Sequence, residues 1–389
     1  MATFAINYFL QTKLPDVGTT IFSVMSKLAQ ENNAVNLGQG FPDFDCDPAL
    51  IDAVNTAMRS GHNQYPPMPG VAILREAIAK KIADLYGHQY GPATEITVTA
   101  GATQAILTAV LAVVQAGDEV IVIEPAYDSY VPAIRLAGGI PIFVAMELTS
   151  EGYSIPWGKV QESITNKTRL IMLNSPHNPT GFTLQPADIR ALSQIVENTN
   201  IIIISDEVYE HMVFDQQVHE SLSRYPELAH RSFIISSFGK TYHVTGWKVG
   251  YVTAPEFLMT EFRKVHQFNV FTVNTPMQIG IANYMVSNQT HIELADFYQQ
   301  KRDLFRAGLK NSGFRLLPAR GTYFQCVNYS AISSLSELEF SHWLTKEIGV
   351  AAIPMSAFYH DSLESNIIRF CFAKRDETLK LALEKLKSL

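Results

Sequence analysis

The sequence predicts an α/β protein, with a large domain of mainly parallel sheet covered by helices and a smaller α+β domain beside it. Three observations carry the prediction. From Ile96 the chain alternates short β-type runs with helical stretches, the signature of strand–helix–strand units. Runs such as Ile201-Ile202-Ile203-Ile204 are apolar on both faces, as strands are when helices bury a parallel sheet from both sides. After about residue 285 the alternation stops, and a long amphipathic helix leads into isolated strands and helices. At 389 residues the chain is also long for one core, which suggests about two domains. We therefore expect residues 46–285 to form the large domain, and residues 1–45 together with 286–389 the small one.

The elements follow in order. Ile21 to Ala29 has apolar residues at helical spacing. Val35-Asn36-Leu37-Gly38-Gln39-Gly40-Phe41-Pro42-Asp43-Phe44 is punctuated by glycine and proline and reads as a loop that brings backbone close to something. Asp47-Pro48 opens a helix to about Arg59, with proline in a first turn that has no use for its missing N–H. Asn63-Gln64-Tyr65-Pro66-Pro67-Met68-Pro69-Gly70 is too rich in proline for helix or central strand and presents Tyr65 on a stiff arm. Strands are expected at Ile96 to Thr99, Glu119 to Ile123, Ile140 to Ala145, Arg169 to Leu173, Ile201 to Ser205 and Phe233 to Ser236. Helices are expected at Ala102 to Val114 and near Ala187 to Glu197. Beyond residue 285 come a helix from Ile292 to Lys310, the segment Gly321 to Val327, a helix near Leu335 to Lys346, a strand from Ile367 to Phe372 and a closing helix. No internal repeat or low-complexity segment interrupts them.

Composition narrows the function. Hydrophobic residues make up 47% and charged residues 17%, the balance of a globular protein with a large interior. A formal charge of −7 and the lack of any Lys/Arg block argue against a nucleic-acid partner, which needs a basic patch for the phosphates. Cys46, Cys326 and Cys371 are scattered without pairing or metal-type spacing, which suits reduced thiols in a cytoplasm, and no metal site is expected. The amino end shows no basic region ahead of a long apolar run, and no stretch is long enough to span a bilayer, so no membrane association is expected.

The chemistry concentrates at the ends of the expected strands, where ligands bind in such sheets. The richest stretch runs from Ser236 to Tyr251 and holds two serines, Lys240 between Gly239 and Thr241 in what reads as a tight turn, and Lys248 eight positions on. A lysine there is free to react. If its pKa falls from the usual range, its neutral amine can form a Schiff base with an aldehyde, though two surface lysines on a loop would look the same in isolation. Four other strand ends supply what a phosphorylated aromatic aldehyde would need. Gly101-Ala102-Thr103-Gln104 starts a helix, whose free amides and dipole seat a phosphate, or simply cap. Tyr127, in Glu124-Pro125-Ala126-Tyr127, offers a ring for stacking or for packing. In Asn174-Ser175-Pro176-His177-Asn178-Pro179-Thr180-Gly181, prolines and glycine fix Asn178 in one orientation, with its amide able to donate to a phenolate. Asp206 follows the four isoleucines, where a buried carboxylate needs a cation such as a protonated pyridine nitrogen, unless it serves as a structural cap.

These motifs, in this order, resemble the class I aminotransferases that use pyridoxal 5'-phosphate, and the resemblance covers nearly the whole chain. It implies that family's fold type I, with a seven-stranded sheet, and a homodimer. Carried over, it makes Lys240 the Schiff-base lysine and Asp206 the partner of the pyridine nitrogen, with Tyr127 stacked on the ring and Asn178 and Tyr209 on its phenolic oxygen. Ala102, Thr103 or Gln104, Ser237 and Lys248 would hold the phosphate, helped by Tyr65 from the neighbouring subunit. Many members have arginine where this chain has Lys248, which keeps the charge and gives up the bidentate fork. Arg369, in the strand Ile367-Ile368-Arg369-Phe370, matches the arginine that grips the substrate α-carboxylate, where a salt bridge to a protein carboxylate is the alternative. Gly40 also falls at the substrate.

Within the class, the stretch Asn36 to Phe44 and Asn63-Gln64-Tyr65 resemble the kynurenine and glutamine-type aminotransferases. Gly18-Thr19-Thr20-Ile21-Phe22 and Ser205-Asp206-Glu207-Val208-Tyr209-Glu210-His211 resemble still more the bacterial methionine aminotransferases. No cation stands out to pair with an acidic side chain, while Ile21, Phe22, Tyr65 and Phe358 offer apolar walls. The expected activity is ping-pong transfer of the amino group of methionine or an aromatic amino acid to a 2-oxo acid. A cysteine-conjugate β-lyase would share every residue named, because both routes begin with α-proton removal. A cofactor-binding regulator would need an added DNA-binding helix-turn-helix, for which the first forty residues are too short and too poor in Lys and Arg.

Overall fold

The computed structural model describes residues 12–389. The amino end read for a leader, and the first eleven residues of the segment expected in the small domain, lie outside the described residues. The large sheet has seven strands: β1 (Ile96–Thr99), β2 (Glu119–Glu124), β3 (Ile140–Ala145), β4 (Thr168–Asn174), β5 (Ile202–Asp206), β6 (Ser232–Ser237) and β7 (Gly250–Thr253). Their order across the sheet is β1-β7-β6-β5-β4-β2-β3. Neighbours are parallel throughout β6-β5-β4-β2-β3, and β7 alone runs antiparallel, between β1 and β6. Six strands coincide with the β runs of the sequence to within a residue at either end. The seventh, β7, has no apolar run long enough to announce it, and its antiparallel pairing falls outside the strand–helix–strand rhythm.

The doubly apolar strands are buried from both sides. Along β2, Val120 and Val122 join one core with Ile106 and Val110 of the helix Gly101–Val113, while Ile121 and Ile123 join another with Ile189 and Leu192 of the helix Pro186–Val196. Consecutive residues point to opposite faces, so each face needs its own helix layer. The helices Ala72–Tyr86, Glu256–Asn269 and Thr275–Ser287 also pack in this part and have no counterpart among the expected elements. The helix Pro48–Arg59 starts as its sequence predicts, with the Asp47 carboxylate accepting from the Ala49 N–H at 2.9 Å and Pro48 in the first turn.

That helix packs against Thr275–Ser287 so closely that a Cβ built on Gly280 would lie 2.8 Å from the Val54 backbone. Backbone cannot yield as a flexible side chain can. Gly280→Ala is therefore expected to destabilise the protein by about 1 to 3 kcal/mol, in the range of overpacked cores. A thermal melt checks it, and an unchanged Tm would show that the two helices can separate freely.

The carboxyl-terminal part holds a four-stranded antiparallel sheet in the order Arg315–Leu316, Phe324–Asn328, Ile367–Cys371, Ile353–Pro354. Val35–Asn36 pairs in parallel with Val350–Ala351, which places the segment before Pro48 against this part of the chain. Cys46, Cys326 and Cys371 are free thiols. Among the described residues no helix is long and apolar enough to cross a membrane, and no three metal-ligating side chains cluster.

Candidate active site

Because the strands from β6 to β3 run in parallel, the carboxyl ends of β4, β5 and β6 open on one side of the sheet, and a cavity of about 320 Å³ lies there. Lys240 stands in its wall. The sequence suggests a tight turn for this lysine, but Phe238–Thr241 forms one turn of α-helix straight after β6, closed by the Tyr242 N–H donating to the Phe238 carbonyl. The turn carries the lysine off the strand end and into the cavity. Its Nζ donates to the Tyr323 hydroxyl at 2.7 Å and to the Gly40 carbonyl at 3.1 Å. Burial brings the amine down to about 8, so a sizeable neutral fraction exists near neutrality.

One corner of the cavity is built for an anion. The helix Gly101–Val113 starts at Ala100 with no side chain capping it, so its first N–H groups are left without intrahelical partners. Gly101 sits at φ +76°, and a Cβ there would come within 3.5 Å of the Lys248 ammonium nitrogen. It is the left-handed backbone that calls for glycine here, and the lysine lies beside the helix start. Lys248 itself holds left-handed backbone at φ +55°, and Ser237, Ala102 and Thr103 complete the corner.

At the end of β5, Asp206 is 5% exposed and accepts from the Tyr130 hydroxyl at 2.7 Å and the Val208 N–H at 3.3 Å. Burial raises its carboxyl to about 6, against the lowering effect of the Tyr130 bond. Tyr127 and Tyr209 line the same wall. The loop after β4 is latched by the Asn178 backbone N–H donating to the Asn174 side-chain Oδ1 at 2.7 Å, while the Asn174 side-chain NH2 donates to the Asp206 backbone carbonyl at 2.8 Å. Asn178 turns its side-chain oxygen to Arg369 at 2.7 Å, which leaves its NH2 for the cavity.

Arg369 is 1% exposed and forms no ion pair with a protein carboxylate among the described residues. Its guanidinium donates to Asn178 and to the Gly38 carbonyl at 3.0 Å, its Nε is buried without a partner, and it lies 3.9 Å over the Phe324 ring. A buried cation with no carboxylate in ion-pair range among the described residues is ready for an anion. Phe22 lines the cavity beside it and packs edge-on against Phe358 at 5.8 Å between centroids.

Four of the residues singled out in the sequence stand outside this cavity, among them Phe358, which packs against Phe22 instead of lining the cavity. Gln104 is spent within its own helix start, its oxygen accepting from Ala100 N–H at 2.9 Å and its amide donating to Thr108 at 2.7 Å. Ile21 packs instead against the core on one face of the large sheet. Tyr65 is 82% exposed and leans on Phe271. Conversely, the geometry brings in Tyr323, Tyr130 and Phe324, to which the sequence gave no roles. Tyr130 opens the helix that follows Tyr127, and a turn in which its N–H donates to the Tyr127 carbonyl at 3.1 Å brings the two rings edge-on.

Comparison with known proteins agrees with this arrangement. The model of the family "Aminotransferase class I and II" matches residues 32–386. Methionine aminotransferase of Escherichia coli K12 is 50% identical over 380 residues, 97% of this chain and 98% of that one. A probable N-succinyldiaminopimelate aminotransferase of Mycobacterium tuberculosis H37Rv is 38% identical, over 97% of this chain and 98% of its own. Kynurenine–oxoglutarate transaminases are among the relatives as well. A crystal structure of an Escherichia coli protein identified as a methionine aminotransferase superposes with a TM-score of 0.96 at 49% identity, covering 98% of this chain and 100% of that chain. With a matching model over nearly all of its length and relatives aligned end to end, the chain belongs to the class I and II aminotransferase family, enzymes that move amino groups between amino acids and 2-oxo acids.

Proposed function

We propose that this aminotransferase works with pyridoxal 5'-phosphate and takes amino acids with sulfur-containing or aromatic side chains, methionine foremost. The observation that carries the reading is the meeting of half-buried Lys240 with buried Asp206 and Arg369 in one cavity, none of them in an ion pair among the described residues. The donors present fit the cofactor group by group. Its phosphate suits the uncapped helix start at Ala102 and Thr103 with Ser237 and Lys248, and its ring nitrogen, protonated, suits the buried Asp206. The free Asn178 NH2 and the Tyr209 hydroxyl suit the phenolic oxygen, and Tyr127 the ring face. When bound, pyridoxal phosphate supplies an aldehyde carbon and a ring that withdraws electrons.

The protein's own groups do the rest. Lys240 would hold the cofactor through its amine, and that amine, once free, would be the group that moves the substrate's α-proton. Asp206 keeps a proton on the ring nitrogen. Arg369 forks onto the α-carboxylate, and Gly40 closes the substrate side. Transfer then runs as two half-reactions in ping-pong order. A homodimer accounts for Tyr65, which is exposed away from its own cavity and would serve the neighbouring subunit's phosphate. The proposed domains are 46–285 around the seven-stranded sheet and 1–45 with 286–389 around the four-stranded one, a division that the Val35–Asn36 pairing with Val350–Ala351 supports. The free thiols and the bacterial relative support a cytoplasmic setting.

Substrate choice follows from the charges. The cations lining the cavity are Lys240, Lys248 and Arg369, and each already has a role. A second carboxylate, on aspartate or an N-succinyl group, would be left without a partner, whereas Phe22 and Phe324 give an apolar chain a wall. The kcat/KM values for methionine, phenylalanine, kynurenine, glutamine and aspartate test this directly. Arg369→Lys should lower all of them together, by about 10- to 100-fold, because the amine keeps the charge and loses the paired geometry. Phe22→Ala should cost methionine and phenylalanine about 1 to 3 kcal/mol while sparing alanine. A wild type that prefers aspartate, or an Arg369→Lys enzyme impaired on methionine alone, contradicts this division of labour. Supplying a cysteine conjugate and looking for pyruvate plus thiol separates transfer from β-lyase chemistry.

A further inference from the structure

Tyr323 is fully buried at the start of the strand Phe324–Asn328 and touches the reactive lysine directly. Its hydroxyl donates to the Gly40 carbonyl at 2.6 Å and accepts from Lys240 Nζ at 2.7 Å, while Nζ also donates to the same carbonyl at 3.1 Å. The three groups form a closed triangle. Since the phenol's single proton is committed to Gly40, its oxygen can only accept from the amine. We propose that Tyr323 is a positioning residue for Lys240, its phenol and the Gly40 carbonyl forming a seat that holds the ε-amine whenever that amine is free. This rests on the reading of Lys240 as the proton carrier.

The seat is rigid without the lysine. The Tyr323 ring is wedged edge-on against Tyr209 at 5.1 Å and against Phe324 at 4.8 Å, with Tyr298 at 5.6 Å. The segment carrying Gly40 is pinned on both sides, by Arg369 donating to the Gly38 carbonyl at 3.0 Å and by buried Lys374 donating to the Phe41 carbonyl at 2.7 Å. Gly40 itself admits no Cβ, which would meet the Phe324 ring at 2.9 Å. The Gly40 carbonyl therefore stays in place when Lys240 is bonded elsewhere, and the Tyr323 proton stays on it.

The geometry also dictates what the seated amine can do. With two of its N–H bonds directed at Tyr323 and Gly40, the nitrogen has one position left, a lone pair when neutral and a proton when charged. That position is the one available to the cavity, so the seat aims the group that removes and returns the α-proton. A swinging ammonium would sample the productive direction only part of the time, and orientation of this kind is a large term in catalysis.

The experiment compares Tyr323→Phe with the wild type in two forms of the protein. In the cofactor-free protein, the rate of Lys240 carbamylation by cyanate is followed against pH by peptide mass mapping. Removing an acceptor from a buried ammonium should move the titration midpoint down by about 1 unit. In the holoenzyme, kcat with methionine should fall by about 10- to 100-fold with KM within about twofold, and the isotope effect from α-deuterated methionine should rise, because aiming of the proton carrier is what has been lost. Placing 3-fluorotyrosine at 323 keeps the shape and weakens the acceptor, so it should shift the midpoint in the same direction by a smaller amount. An unchanged midpoint and isotope effect would overturn the proposal and leave Tyr323 as packing. Failure of the underlying reading looks different, since borohydride would then fix the cofactor to a residue other than Lys240.

Discussion

Lys240→Ala is expected to fold normally, bind the cofactor through its phosphate, and lose transamination by about 10⁴-fold or more. Two separate contributions disappear at once. Positioned proton transfer alone contributes about 10²- to 10⁴-fold, and the covalent hold on the cofactor is lost with it. The fold has little reason to suffer, because among the described residues the half-buried amine bonds only to Tyr323 and the Gly40 carbonyl, and those two also bond each other at 2.6 Å. Borohydride treatment of the yellow wild type followed by peptide mapping should place the label on Lys240. A label on Lys248 would exchange the roles of the two lysines. Capture of the cofactor by cofactor-free protein should quicken as pH rises and level off above about 8, since burial has lowered the amine to that value and only its neutral form attacks.

The second large effect is expected at Asp206, where activity and stability can be pulled apart. Asp206→Ala should reduce turnover by about 10²- to 10³-fold, as a few kcal/mol of charge-assisted contact to the ring nitrogen is lost at about 1.4 kcal/mol per decade. It should also lower the stability by about 1 to 3 kcal/mol, because the Tyr130 hydroxyl, 2.7 Å from the carboxylate, is left buried without an acceptor. Asp206→Asn keeps an acceptor for Tyr130 but carries no charge. Its melting temperature should return toward the wild type while its turnover stays low. If Asp206→Asn turns over near the wild-type rate, the carboxylate is a structural acceptor for Tyr130 and the ring nitrogen has no need of it.

What the sequence determined by itself was the local grammar and the chemistry-bearing residues. Runs apolar on both faces, such as Ile201 to Ile204, specify parallel strands because only burial from both sides accommodates them, and the structure sets them in β5 and its neighbours. The helix start at Asp47-Pro48 was legible because capping depends on adjacent residues alone. Asp206 and Arg369 stood out because each is charged where its flanking residues predict burial, Lys240 because small residues frame it in a turn, and Asn178 because prolines and a glycine fix its loop. Other features depended on partners distant along the chain. The antiparallel strand β7 is stabilised by pairing with β1 and β6, on either side of it in the sheet but far from it in sequence on one side, so four residues of modest β pattern could not declare it. Gln104 reads as a phosphate ligand until the fold gives its amide Thr108 and its oxygen the Ala100 N–H. Arg369 could equally have met a protein carboxylate, and only packing against Phe324, with Asn178 and the Gly38 carbonyl as its acceptors, keeps it free of one among the described residues. Tyr323 was one more aromatic in the segment Gly321 to Val327. Its contact with Lys240 joins residues 83 positions apart, and a hydrogen bond between such distant groups is fixed by how the two sheets pack, which no local pattern encodes.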